Sequence, residues 1–217
     1  MIWPRRCNTT GVLALEFIAR SVHTSRSVVL FPGTWNPPTI AHLEIARAAL
    51  RHAEEVIWIL PRAFPHKAFE GATFEARLRM LERITRAQEH FSVAVSDAGL
   101  YAEIAIEARE QFGEATDIAL AMGRDAAERI AGWDYGRPGV FDEFVRAFRL
   151  MVAARSGEYV PARHHADRIS ALRMRSNWDE VSSSEVRRRI AAGEEWRHLV
   201  PFEISDVVAE LYSAELY

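Results

Sequence analysis

The sequence predicts an α/β fold, a doubly wound parallel sheet with helices on both faces and a small helical part at the C-terminal end. Three observations carry this. From Ser27 onward, short β-rich runs alternate with longer helical ones, the order that builds a parallel sheet covered by helices. The first run, Val28 to Phe31, is apolar throughout, as a buried strand is. A chain of 217 residues is long enough for one such domain with a full core.

The elements follow in order. The strand Val28 to Phe31 leads into a turn-rich loop, Pro32 to Pro38, and a helix from about Ile40 to His52. Val56 to Leu60 is the second strand. After the loop Pro61 to Thr73 comes an amphipathic helix, Phe74 to Ala87, with Phe74, Leu78, Met80 and Leu81 available inward. Phe91 to Val95 is a strand and Tyr101 to Gln111 a helix. Asp117 to Met122 is the fourth strand, broken by Gly123, and helices follow over Asp125 to Ile130 and Val140 to Ala147. Leu150 to Ala153 is a fifth strand and Ile169 to Leu172 a weaker sixth, with an exposed loop over Ser156 to Asp167 between them. Helices at Ser183 to Ala192 and Phe202 to Leu211 close the chain. Residues 27–217 therefore read as one domain, its helical C-terminal part starting at about 181. Residues 1–26 read as an N-terminal extension, expected as a packed helix because Val12, Leu13, Leu15, Phe17 and Ile18 supply an apolar side. An extended start, or an Arg-rich, acid-poor targeting leader, is the alternative.

Composition narrows the function classes. The hydrophobic fraction of 49% and charged fraction of 26% are those of an ordinary globular protein. A net charge of −3 argues against a nucleic-acid-coating protein, and no apolar run approaches the ~18 residues of a membrane span. Cys7, the single cysteine, excludes an internal disulfide or a zinc knuckle and fits a reducing, cytoplasmic setting. The oligomeric state stays open, a homo-oligomer included.

Two segments carry chemistry. Gly33-Thr34-Trp35-Asn36-Pro37-Pro38-Thr39-Ile40-Ala41-His42 lies where the first strand gives way to the first helix, the place where parallel sheets bind ligands. Gly33 lets backbone approach a phosphate, Thr39 suits the N-cap, and His42 follows three residues on, so that both side chains can face one ligand. A capping Thr and a surface His would look the same from residue types alone. Far along the chain, Val181-Ser182-Ser183-Ser184-Glu185-Val186-Arg187 marks another helix start, with Ser182 or Ser183 as the cap. A solvated basic face is the plain reading of Arg187 to Arg189. An Arg fork aimed at phosphate is the sharper one.

The first segment resembles the (H/T)-x-G-H signature of the nucleotidyltransferase superfamily, with Thr39 first and His42 last. Ala41 replaces the usual Gly, and Asn36 the usual Asp of the preceding turn. The second is similar to that superfamily's I-S-S-T-x-x-R element, Ser184 standing for Thr and Arg187 for Arg. Three further segments resemble the nicotinate-mononucleotide adenylyltransferase branch: Pro65-His66-Lys67, then Met122-Gly123-Arg124-Asp125 with Trp133 downstream, and the tail after Leu199-Val200-Pro201. That branch's Tyr-Thr-x-x-Thr-Leu run keeps only Tyr101 here.

The resemblance implies a Rossmann-like fold and transfer of AMP from ATP to a phosphorylated small molecule, nicotinate mononucleotide first, with pyrophosphate released in NAD biosynthesis. It implies His42 at the α-phosphate, Thr39 orienting phosphates, and Arg187 with Ser183 and Ser184 on the leaving pyrophosphate. Gly33 and Thr34 would line the phosphate loop and Gly123 and Asp125 the adenosine, while Lys67, Trp133 and Tyr101 would meet the acceptor. Mg2+ is expected to enter with ATP, held by substrate and water rather than by protein side chains. Phosphopantetheine adenylyltransferase, a cytidylyltransferase and a non-catalytic nucleotide sensor are the alternatives.

Overall fold

The computed structural model describes residues 15–21, 25–63, 71–154, 157–175 and 178–213. Its sheet has seven strands in the order β1-β4-β3-β2-β5-β6-β7. These are β1 (Glu16–Ala19), β2 (Ser27–Pro32), β3 (Glu55–Pro61), β4 (Phe91–Ser96), β5 (Asp117–Gly123), β6 (Arg149–Ala153) and β7 (Ile169–Leu172). Every pairing is parallel except that of β1 with β4. The chain steps outward from β2 through β3 to β4, then crosses back to β5 on the other side of β2. That reversal opens a crevice between β2 and β5 at their carboxyl ends, the position at which doubly wound sheets bind ligands.

Alternation along the strands divides the core. Val29, Phe31, Val56, Trp58, Leu60 and Val93 face one layer, containing helices α1 (Ile40–Leu50), α2 (Phe74–Arg86), α6 (Ser183–Ala191) and α7 (Ser205–Ser213). Val28, Leu30, Ile57, Ile59 and Ala94 face the other, with α3 (Tyr101–Phe112), α4 (Arg124–Ala131) and α5 (Val140–Ala147). Among the described residues, no helix is long and apolar enough to cross a membrane.

The predicted elements are met, with three corrections. The packed helix expected at the N-terminus is, over Glu16–Ala19, a strand instead, while residues 1–14 lie outside the described ones. Backbone pairing with β4 satisfies this stretch where four residues cannot sustain a helix. Buried Glu55 anchors the segment that follows: it accepts from Ser92 Oγ (2.5 Å) and Ser25 Oγ (2.7 Å) and pairs with Arg20. The expected helix from Phe202 begins as a 3-10 turn, Phe202–Ile204, before α7. The loop over 156–167 contains a second such turn, Arg163–His165, in which His165 is buried.

One buried acid shapes the wall of the crevice. Glu107 on α3 is 1% exposed, and burial pushes its carboxyl above the ordinary carboxylate range. Its Oε1 has no hydrogen-bond partner, and its Oε2 lies 2.5 Å from Ser96 Oγ. Ser96 Oγ donates to Glu107 Oε2, lies 3.2 Å from the Ala98 carbonyl and accepts from Ala98 N–H (3.0 Å). This knot fixes the turn between β4 and α3. Because the folded pKa lies above the unfolded one, the stabilisation is fully present below the unfolded carboxylate pKa and is lost as pH rises through the folded pKa. Glu107→Gln imitates the protonated acid. Thermal unfolding of both proteins between pH 5 and 8 should show the wild type losing melting temperature relative to the variant as pH rises. Parallel curves would mean that Glu107 does not titrate in this range.

Candidate active site

The crevice is a cleft of about 580 Å³, in the range of small-molecule sites. Its floor is the end of β2 with the loop Gly33 to Asn36. One wall comes from the start of α6 (Ser182, Ser183, Ser184, Arg187), and the other from Gly99, Tyr101 and Ile104 with Gly123, Asp125, Ala126 and Arg129.

His42 is held from two sides. Thr39 is the N-cap of α1 and His42 its third residue, joined in a reciprocal capping box. His42 Nδ1 accepts from the Thr39 N–H (3.0 Å), with Thr39 Oγ1 at 2.9 Å. An imidazole that accepts at Nδ1 carries its proton on Nε2, so the helix cap selects the tautomer. Trp35 meets the His42 ring edge-on at 5.2 Å. Trp35 itself has a left-handed backbone (φ 54°), a conformation that costs a non-glycine residue roughly 1 to 2 kcal/mol. Its indole donates to the Ile59 carbonyl (2.8 Å) and packs between Phe31 and Trp58, at 4.8 and 4.7 Å.

The α6 wall closes onto the same loop. Ser182 caps α6 by accepting from Glu185 N–H (3.0 Å), and Ser183 Oγ donates to the Pro37 carbonyl (2.8 Å) across 146 positions of sequence. Arg187 donates to the Asn36 carbonyl and to Ser184 Oγ (3.4 Å). Of the three consecutive arginines, Arg187 alone lines the cleft. Arg188 is tied to Glu185 and Glu194, and Arg189 to Glu185. These two bonds pull the Glu185 carboxyl down to about 2. The plain reading of a solvated basic face therefore describes Arg188, and the sharper one Arg187.

The opposite wall is open. Gly123 caps α4 without a side-chain bond, and a Cβ there would meet nothing within 4 Å, so backbone N–H groups of the first turn border free space. Asp125 lies in that turn and is the only carboxylate among the lining residues. The Tyr101 hydroxyl donates to the Pro32 carbonyl (3.0 Å), and burial pushes it up to about 12.

Several sequence expectations are corrected here. Thr39 does not face the cleft. It is fully buried, is not among the lining residues, and its hydroxyl takes part in the cap beside His42. Gly33 lines the cleft, but its lack of a side chain makes room for Trp35, whose ring would lie 2.6 Å from a Cβ. Thr34 lines the cleft, and its carbonyl accepts from Arg77 (3.2 Å). Trp133 is not among the lining residues: it follows α4, whose eight residues carry the chain roughly 12 Å from Gly123. Lys67 lies outside the described residues. Sequence reading missed Arg129, an exposed guanidinium one turn after Asp125 on the cleft face of α4. The i to i+4 spacing was the available signal. It also missed Trp35 as the support of His42.

Comparison with known proteins gives a consistent picture. Residues 30–189 match the cytidylyltransferase-like family model. A probable nicotinate-nucleotide adenylyltransferase of Solibacter usitatus is 31% identical over 175 residues, spanning 76% of this chain and 88% of the relative. One of Salinibacter ruber is 33% identical over 186 residues, spanning 81% and 91%. Among solved structures, Plasmodium falciparum nicotinic acid mononucleotide adenylyltransferase complexed with NaAD shares the fold at a TM-score of 0.65. It is 16% identical, over 86% of this chain and 97% of that one.

The capping box makes a separable prediction. Thr39→Val keeps the shape but removes the hydroxyl, and should cost about 1 kcal/mol of stability as a lost N-cap. If Thr39 also fixes the imidazole, turnover falls while the KM values for both substrates stay near wild type. Wild-type turnover in a destabilised variant would leave Thr39 as a helix cap alone. Urea unfolding and steady-state kinetics on one preparation give both readings.

Proposed function

The chain belongs to the cytidylyltransferase-like family, and from that membership we propose that it transfers AMP from ATP to nicotinate mononucleotide, releasing pyrophosphate, as a step of NAD biosynthesis. The observation that carries the reading is the meeting of His42 with the α6 start and Arg187 on one cleft, although they come from opposite ends of the domain.

In this reading the acceptor phosphate attacks the α-phosphorus of ATP in line, the P–O bond to the β-phosphate breaks, and pyrophosphate leaves with its electrons. No covalent enzyme intermediate is required, so the protein's task is positioning and charge stabilisation. His42, protonated on Nε2, donates to the α-phosphate as charge gathers there. Ser183, Ser184, the N–H groups of α6 and the remaining N–H groups of Arg187 hold the departing pyrophosphate. Gly123 and Asp125 border the adenosine, Asp125 accepting from ribose hydroxyls. Mg2+ fits this donor set: one lining carboxylate suits an ion that keeps phosphate and water as its main ligands. When bound, it neutralises charge on the phosphate oxygens.

Arg129 supports the acceptor end. It stands close enough to Tyr101 for its charge to offset part of the burial effect on that hydroxyl. Among the described residues it has no hydrogen-bond or ion-pair partner. A guanidinium there meets an anionic group of the acceptor, in place of the hydroxyls that the sequence lacks beside Tyr101.

Two measurements test this. Pyrophosphate release with ATP or CTP against nicotinate mononucleotide, nicotinamide mononucleotide and phosphopantetheine should peak with ATP and nicotinate mononucleotide. In that assay His42→Ala should lower turnover by on the order of 100- to 1000-fold. ATP binding without pyrophosphate from any acceptor would sink the assignment. Arg129→Ala should raise the acceptor KM by roughly 10- to 100-fold, the worth of one charge-assisted hydrogen bond, and leave the ATP KM nearly unchanged. A matched rise in both KM values would move Arg129 to the nucleotide.

A further inference from the structure

Away from the cleft, a second group of side chains converges. Helix α5 starts at Gly139, which gives it no side-chain cap, and Asp142 lies in its first turn. The 3-10 turn Arg163–His165 brings two adjacent histidines to that carboxylate. Asp142 Oδ1 is 2.8 Å from His165 Nε2 and 3.4 Å from His164 Nε2, and the two rings lie 4.0 Å apart between centroids. One donor atom from each of the three residues falls within 4.8 Å of the others, and no other such group exists among the described residues. His165 is buried, with its ring edge-on to Phe141 at 5.3 Å. Asp142 is half-buried and His164 exposed. None of the three lines the cleft.

An ion pair accounts for only part of this. One imidazole satisfies the carboxylate oxygen, and a second, brought to the same oxygen, would repel the first once both were protonated. A metal ion resolves the crowding, because it takes two neutral imidazoles and a carboxylate together. Tetrahedral zinc, with bonds of about 2.0 to 2.2 Å, separates its ligand atoms by about 3.3 Å, and the separations of 2.8 and 3.4 Å bracket that value. We propose that Asp142, His164 and His165 form a binding site for a divalent transition cation of the zinc type. The fourth position opens to water beside His164. Two nitrogens and one oxygen select zinc over magnesium, which prefers an all-oxygen shell. Bound there, the ion ties the start of α5 to the 3-10 turn and has no part in phosphoryl transfer.

The test uses the full chain without a histidine tag, stripped with chelator and then dialysed free of it. Calorimetric titration with ZnCl2 should show one-to-one binding. Thermal unfolding should shift upward with ZnCl2 and stay unmoved by an equal concentration of MgCl2. His164→Ala, a change at an exposed position, should fold normally and bind zinc at least about tenfold more weakly, since even outer-shell partners of a metal are worth that much. Absence of stoichiometric binding to the wild type, or equal zinc affinity in the two proteins, overturns the proposal.

Discussion

The active site rests on the way the loop after β2 is pinned by the far end of the chain. Asn36 is 6% exposed; its side-chain oxygen accepts from Ala72 N–H (3.2 Å) and from the Tyr212 hydroxyl, and its backbone carbonyl accepts from Arg187. The neighbouring Pro37 carbonyl accepts from Ser183. The segment just before α2, together with α6 and α7, thus converges on two residues of one loop. Without those bonds, His42 and Arg187 would belong to separate helices with no fixed separation. Buried polar groups that satisfy each other in this way specify a single arrangement because every alternative leaves one unpaired.

The same loop explains which sequence signals could be trusted. The strands of the parallel sheet were legible because each is a short run of apolar residues bounded by turns, and helices such as α1 and α6 because the caps Thr39 and Ser182 mark their starts. The pairing of the two phosphate segments was legible only through resemblance, since nothing local links positions 146 apart. Asn36 looked like a departure from the expected acid. Its side-chain oxygen accepts from Ala72 N–H and from the Tyr212 hydroxyl, a role that an amide oxygen fills as well as a carboxylate does. What stayed hidden depends on direction. Thr39 and His42 sit on the same helix face, yet one is consumed by the cap and the other reaches the cleft. Arg129 sat among ordinary charged residues of α4 until the crossover between β2 and β5 turned a face of that helix toward the cleft. The strand at Glu16–Ala19 was hidden because its partner, β4, lies 70-odd positions away and its own pattern is too short to declare a period.

The cleft shows how a chain with a net charge of −3 prepares a place for polyanions. Its lining holds two guanidinium groups, Arg129 and Arg187, and one carboxylate, Asp125, along with the starts of α4 and α6. The other arginines of α6 are neutralised by Glu185 and Glu194. Local field, set by which cations are paired off and which face the crevice, governs binding here more than total charge does.

The strand β1 also has a consequence for handling the protein. It runs antiparallel along β4, joined by Arg62 bridging Glu16 and Asp97, and so occupies hydrogen-bonding groups that a parallel sheet would otherwise present at its margin. An uncovered margin of that kind is a template for pairing with another molecule and a common origin of aggregation. Trimming the chain to begin at Ser27, where the parallel sheet starts, would leave the cleft-lining residues intact, expose the β4 margin and yield a less soluble protein.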